Sequence, residues 1–218
     1  MAEAALSLIR RSKTLGKEVL DRLRQAILSG ELREETPLPE SQTAAKLGVS
    51  RVPVREALVE LERQGLVEFD SNGRACVRTF TDLDIREILG LRSALQTMAA
   101  RVAAARLTGP DLERLEAILS RAGKTHDLTE FSRLDTAFHD EIVLISRHKR
   151  LARVWTDLRA QMELWLARLH QRRERTLHDV RKSTLAAHRK MIDTLATRKP
   201  EAAANLMERH CDSWGDHL

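Results

Sequence analysis

The stretch ESQTAAKLGVSRVPVREALVELERQGLVEFDSNGRACV, residues 40–77, leaves few folds open. A short helical segment, about 40–47, runs into Gly48, which can take a left-handed turn that other residues resist. Ser50 is a good N-cap and Pro53 is tolerated in a first turn, so a second helix is expected from there to about Gln64. Val54, Ala57, Leu58 and Leu61 form its buried stripe, and Gly65 ends it. LVEF and ACVR then read as strands around DSNGR, where Asn72-Gly73 signals a tight hairpin. Upstream, residues 14–29 carry Val19, Leu20, Leu23, Ile27 and Leu28 at helical spacing and close on Gly30. Helix, turn, helix and hairpin in this order specify a winged helix-turn-helix.

That order gives Arg51 and Arg55 a purpose. They lie four apart at the start of the second motif helix and flank its apolar stripe. In a helix-turn-helix this end leads into the major groove of duplex DNA. The positive helix terminus favours phosphate, and arginine can grip guanine with two hydrogen bonds. The hairpin around Gly73 and Arg74 would be the wing, lying along a neighbouring groove or the backbone. Net charge adds little to this reading. The chain carries +5, but residues 1–80 hold 13 basic and 12 acidic side chains, so the argument for DNA rests on local geometry.

The remaining 138 residues show only helical pattern, read as helices over about 82–107, 110–122, 127–146, 148–171, 173–197 and 200–216. The segment TFTDLD, 79–84, makes the join, with Thr81 or Asp82 placed to cap the next helix. The expected organisation is a flexible arm (1–13), a winged helix-turn-helix domain (14–78), a linker (79–84) and an all-α domain (85–218), giving a mainly α protein. With 42% hydrophobic residues, nine glycines and five prolines, the composition agrees. No apolar run approaches the roughly 20 residues of a membrane span. The start, MAEAALSLIRRSK, has its basic residues after a short apolar stretch, the reverse of a secretion signal. Cys76 and Cys211 stand apart, in no metal spacing, as free thiols of a reducing compartment, so a cytoplasmic protein is expected.

Polar residues on apolar stripes mark a second site. Leu151, Val154, Trp155, Leu158, Met162, Trp165 and Leu169 form one uninterrupted stripe, read as core or dimer packing. On helix 127–146, however, Asp135 and His139 fall within or beside the face of Leu128, Phe131, Leu134, Phe138, Ile142 and Ile145. His188 interrupts Leu185, Ile192 and Leu195, and His210 shares a face with Leu206, Met207 and Trp214. Buried polar groups need partners, and one divalent ion would satisfy all four. Three histidines and an aspartate suit zinc first, with nickel or manganese as alternatives. Helix bundles build such sites from facing helices. Asp140 and Glu141 are expected to point outward, which leaves no general base beside the quartet.

Both halves resemble a known family. LPESQTAAKLGVSRVPVREALVELERQGLV, with its SRVPVREAL core, is similar to the DNA-binding domain of GntR-superfamily bacterial transcription regulators. By that resemblance Ser50, Arg51 and Arg55 contact DNA and Gly73 lies at the wing tip. Ser41 stands where family members often carry an arginine, and EETPLP where the loop usually contains Pro-Gly. The second half resembles the FCD ligand-binding domain of the FadR subfamily through LDTAFHDEI and AAHRKMIDTLATRKPEAAANLMERH. The resemblance implies Asp135, His139, His188 and His210 as metal ligands and Arg92 as a contact to a small organic or sugar acid effector. A surface or dimer-interface place for Arg92 is the other reading. Gln96 replaces a common glutamate, Ala187 a common acidic neighbour of the histidine, and SRHKRL a more usual Ser-Gly-Asn-x-x-Leu. The expectation is a homodimeric repressor on a palindromic operator, its affinity set by metal and effector. A constitutive DNA-binding protein with a structural ion and a metal-dependent enzyme fused to a DNA reader are the alternatives.

Overall fold

The computed structural model describes residues 13–172 and 177–212, with the side chains of 13, 14, 129 and 166–180 outside the description. The elements run α1 (Lys13–Leu28), α2 (Glu40–Leu47), α3 (Arg51–Arg63), β1 (Val67–Phe69), β2 (Ala75–Val77), α4 (Asp82–Arg106), α5 (Gly109–Lys124), α6 (Leu128–Ile145), α7 (Lys149–Arg172), α8 (Leu177–Ala196) and α9 (Pro200–Asp212). The chain divides into two compact units, one ending at Thr79 and one beginning at Phe80. The expected arm, apart from Lys13, lies outside the described residues, as do Trp214 and the side chain of Leu169.

In the first unit α1 packs on α3, and Val19, Leu23 and Ile27 meet Val54, Ala57, Leu58 and Leu61 in a buried core. Gly48 closes α2 at φ 66°, its N–H and that of Val49 collecting the last carbonyls of the helix. The hairpin pairs Val67 with Val77, Glu68 with Cys76 and Phe69 with Ala75. Its turn differs from the two-residue Asn-Gly type. Gly73 has φ 71° but Asn72 does not have positive φ, so the loop is Ser71–Gly73, a turn with a glycine in the left-handed position. The Asp70 carboxylate fixes it, accepting from the N–H groups of Asn72 and Arg74 at 2.8 Å each. The segment before α2, expected as a plain loop, runs beside β2, with Leu38 N–H donating to Ala75 O and Val77 N–H to Thr36 O. It turns at Glu35, a non-glycine residue at φ 60°.

The second unit is built on α4. Thr81 caps it through a box with Asp84. Ala99, Ala100, Ala103 and Ala104, all fully buried, let α9 approach closely through Ala203, Ala204 and Met207. Helices α6, α7 and α8 pack around α4, and α5 lies against α6 and α8. On α7 the described buried positions are Leu151, Trp155, Leu158, Ala160, Met162, Leu164 and Trp165. Val154, expected among them, is 52% exposed because it falls at the edge of that stripe. Among the described residues no helix is long and apolar enough to cross a membrane, and both cysteines are free.

Candidate functional site

Two groups of side chains stand out by opposite physics. At the N-terminal end of α3, Ser50 holds the N-cap position, exposed and without a side-chain capping bond. Arg51 and Arg55 project from the first turns with 69% and 75% of their side chains exposed. Exposed Val52 lies between them, an apolar group at the tip that the sequence reading did not select. Glu40, the first residue of α2, reaches both arginines: its Oε2 lies 3.1 Å from Arg51 Nη2 and its Oε1 3.6 Å from Arg55 Nε. At the hairpin tip Arg74 is also exposed, 3.9 Å from the Asp70 carboxylate. This surface can offer hydrogen-bond donors to anionic or acceptor-rich partners without first being dehydrated.

The other group is buried at His139 and His188 and half-buried at His210. Helix α6 supplies His139, α8 His188 and α9 His210, each from its apolar face. One ligand atom from each lies within 4.8 Å of the others. The ring centroids form a nearly equilateral triangle, 5.4, 5.2 and 5.5 Å apart. His188 is held by stacking on Phe138, centroids 3.9 Å apart. Nε2 of His139 and Nε2 of His210 are 3.3 Å apart. Two nitrogens bound at about 2.1 Å to one tetrahedral ion would be about 3.4 Å apart.

Burial, then the positive charge of Arg92, holds His139 well below its ordinary pKa. Burial does the same to His188, followed by His210 and Arg92, and lowers His210 to about 4. The rings are therefore neutral at pH 7, the form that binds metal. Asp135 is raised to about 6 by burial, partly offset by Arg92. Its Oδ1 is 3.3 Å from His188 Nε2. The pair is not aligned as a hydrogen bond, and both atoms are buried without a hydrogen-bond partner. Of the four residues expected to share an ion, the three histidines form the close group and Asp135 stands outside it, against His188; the orphaned nitrogen and the orphaned carboxylate oxygen fit a divalent cation.

Arg92 is 1% exposed, with Nη2 3.2 Å from His139 Nε2, which excludes a surface place for it. Since arginine only donates, His139 Nε2 accepts and Nδ1 carries the proton. That proton points to Gln96 Oε1 at 3.4 Å. Gln96 thus orients a candidate ligand through its other nitrogen, which sequence reading noted only as a replaced glutamate. A small cavity opens between Arg92, Asp135 and His139 on one side and Trp155 and Arg159 on the other.

Asp140 and Glu141 do not point outward as expected. Glu141 is buried and paired with Arg114 at 2.7 Å, while Asp140 accepts from Trp155 Nε1 at 2.7 Å and faces Arg159. Each is drawn inward by a cation or donor from a neighbouring helix. Neither is a histidine-cluster base in this arrangement.

Residues 87–213 match the FCD domain family and residues 15–77 the family described as bacterial regulatory proteins, gntR family. The chain belongs to the GntR family. Among relatives of this GntR regulator, a probable D-xylose utilization operon transcriptional repressor of Paenarthrobacter nicotinovorans is 29% identical over 90% of this chain and 85% of that protein. A gluconate operon transcriptional repressor of Bacillus licheniformis is 28% identical over 90% and 82%. The solved structure of E. coli McbR/YncC shares the fold, with a TM-score of 0.77 at 22% identity, covering 92% of this chain and 94% of that one. The chain is accordingly a DNA-binding transcriptional regulator, and its relatives regulate transcription rather than catalyse reactions.

Proposed function

We propose that this GntR regulator is a cytoplasmic, homodimeric repressor that binds a palindromic operator and responds to a small organic or sugar acid through a metal centre. Ser50, Arg51 and Arg55 read the major groove, while Gly73 and Arg74 carry the wing along the backbone. Asp135, His139, His188 and His210 hold the ion, zinc first among the candidates. The observation that carries this reading is the triangle of neutral imidazoles, in which His188 Nε2 is orphaned, with the orphaned Asp135 Oδ1 beside it.

When bound, the ion supplies Lewis-acid sites to which a carboxylate can attach. Arg92, which donates to His139 Nε2 in this structure, would be released to donate to the carboxylate once that nitrogen holds the ion, while Gln96 keeps His139 turned with Nε2 inward. Acid binding shifts the operator-binding equilibrium only through its different affinity for the two states of the protein, carried through residues 79–84. The gluconate repressor among the relatives favours sugar acids as the first class to test.

The test is metal analysis of the purified protein combined with thermal melts in organic and sugar acids. About one equivalent of metal per chain is expected, with stability lost on chelation and an acid-dependent rise in Tm only in the loaded protein. Stoichiometric metal with no response to any acid would leave a structural ion in a constitutive regulator. Absence of metal uptake would overturn the centre itself.

A further inference from the structure

The contact between Glu40 and the two arginines is the most specific charge arrangement on the DNA-reading surface. Glu40 comes from a different helix than Arg51 and Arg55, yet one carboxylate oxygen faces each guanidinium. Its side chain is 24% exposed, less than half the value of either arginine. As the first residue of α2, it also suits the positive helix end, so its backbone place is fixed while its carboxylate is shared.

We propose that Glu40 is a specificity-positioning residue: it fixes the two arginine forks for base edges and makes them poor at binding phosphate alone. The proposal rests on the reading that Arg51 and Arg55 contact DNA. The geometry distinguishes the two arginines. Arg55 is nearest to Glu40 through Nε, at 3.6 Å and so beyond hydrogen-bond distance, which leaves its terminal nitrogens available for O6 and N7 of guanine. Arg51 faces it through one terminal nitrogen, Nη2. Arg55 is therefore the better-prepared guanine reader.

The electrostatics have a consequence for wrong sequences. Guanine presents neutral acceptors, so a guanidinium can bind it and keep its carboxylate partner. A phosphate is itself an anion and competes with Glu40 for the same cation. Non-specific binding runs through phosphates and specific binding adds base edges, so Glu40 weakens the first more than the second. Ser41 acts in the same direction, since the next position supplies no extra cation. With 13 basic and 12 acidic residues over 1–80, the unit has no general positive field to override this local control.

The test uses the full chain and its Glu40→Gln variant, which keeps size and polarity but removes the charge. Wild-type protein first selects an operator from a random duplex library. Kd is then measured for that duplex and a scrambled one of equal length across about 50–200 mM salt. In the variant, scrambled DNA should bind about five-fold more tightly at low salt, with the log K against log salt slope steeper by about one. The operator-to-scrambled ratio should fall about ten-fold, and the penalty for replacing one guanine per half-site should shrink. An unchanged ratio and slope would overturn the proposal. So would equal weakening on both duplexes, which would reduce Glu40 to support for the start of α2. Arg55→Ala is measured alongside: normal operator binding by that variant would remove the underlying recognition surface, whereas lost binding with an unaltered Glu40→Gln protein would remove this inference alone.

Discussion

The tip of α3 and the histidine cluster both gather side-chain nitrogen atoms, but they stand at opposite ends of solvation. Arg51 and Arg55 are 69% and 75% exposed, whereas His139 and His188 are 2% and 3% exposed. An exposed guanidinium–carboxylate contact contributes only about 0–1 kcal/mol, so the Glu40 contacts bias which DNA groups the arginines meet without locking the side chains in place. The imidazoles have already given up their water on folding, and an orphaned buried polar group costs about 1–3 kcal/mol. Exposure, more than residue type, therefore separates a contact that can be swapped from a site that needs filling. The winged-helix unit keeps Arg51 and Arg55 at the surface, and the helical unit buries His139, His188 and Asp135.

The strongest way to break this comparison is His188→Ala. Loss of an orienting partner outside the metal's own ligands already costs about 10–100-fold in affinity, so removal of a ligand should exceed about 100-fold. Metal analysis after dialysis should show a depleted protein that no longer responds to acids. Retained stoichiometric metal would mean the buried triangle is ordinary core packing. Next comes Arg55→Ala, which should weaken operator binding about 100-fold through loss of a base fork and a phosphate partner. Its unfolding free energy should stay within about 0.5 kcal/mol of the wild type, since the side chain is surrounded by water. A large stability loss there would contradict the exposed, exchangeable character of the α3 tip.

Asp111 extends the comparison to a charge with no ligand in view. It is 2% exposed at the start of α5, where it takes hydrogen bonds from Thr108 and pairs with Arg114 and Arg147. Burial alone would raise its pKa, but the hydrogen bonds from Arg147, Thr108 and Arg114 outweigh this and hold it far below the ordinary 3.8. A lowered carboxylate pKa stabilises the fold at pH above the unfolded value and loses that contribution as acid protonates it. Asp111→Asn should cost about 2–3 kcal/mol at pH 7, because the half-exposed arginines can recover some hydration. The difference between variant and wild type should narrow as the pH falls below about 4, measured by urea unfolding across that range.

The distribution of legible and hidden features follows from the same physics. Helical periodicity places a side chain on a face, so Asp135, His139, His188 and His210 could be assigned to inward faces before any fold was known. It does not identify a partner on another helix. Glu141 lies 27 residues beyond Arg114, and Arg147 lies 36 beyond Asp111, so Glu141 read as an outward charge although it is buried. Glu40 was missed for the same reason, its two arginines being on the next helix. The Asn72-Gly73 pair located the hairpin, but Asp70, whose carboxylate holds the loop, selected a three-residue turn. Departures from the family pattern were visible as residues without their consequence. Glu35 and Arg147 occupy segments where the resemblance leads one to expect glycine, and both have left-handed backbone, at φ 60° and 50°.

Those two positions give the finest test of the comparison. A non-glycine residue in this conformation costs about 1–2 kcal/mol, while glycine brings an entropic penalty of about 0.5–1 kcal/mol. Glu35 is exposed, and no hydrogen bond or ion pair of its carboxylate is among the described contacts. Glu35→Gly should therefore stabilise the protein by about 0.5 kcal/mol. Arg147 spends the same strain differently. Its guanidinium donates to Asp111 and to the carbonyls of Ile145 and Arg106, joining the ends of α4 and α6 to the start of α5. Arg147→Gly relieves the backbone but removes these bonds and exposes the charge of a buried carboxylate, so it should destabilise by about 1 kcal/mol. Opposite signs in urea unfolding would show that a surface charge in the winged-helix unit is dispensable where one tied to a buried group is not. Stabilisation by both substitutions would mean that the Asp111 network contributes nothing beyond what water supplies, and the division between exchangeable and fixed charges would fail at its most sensitive point.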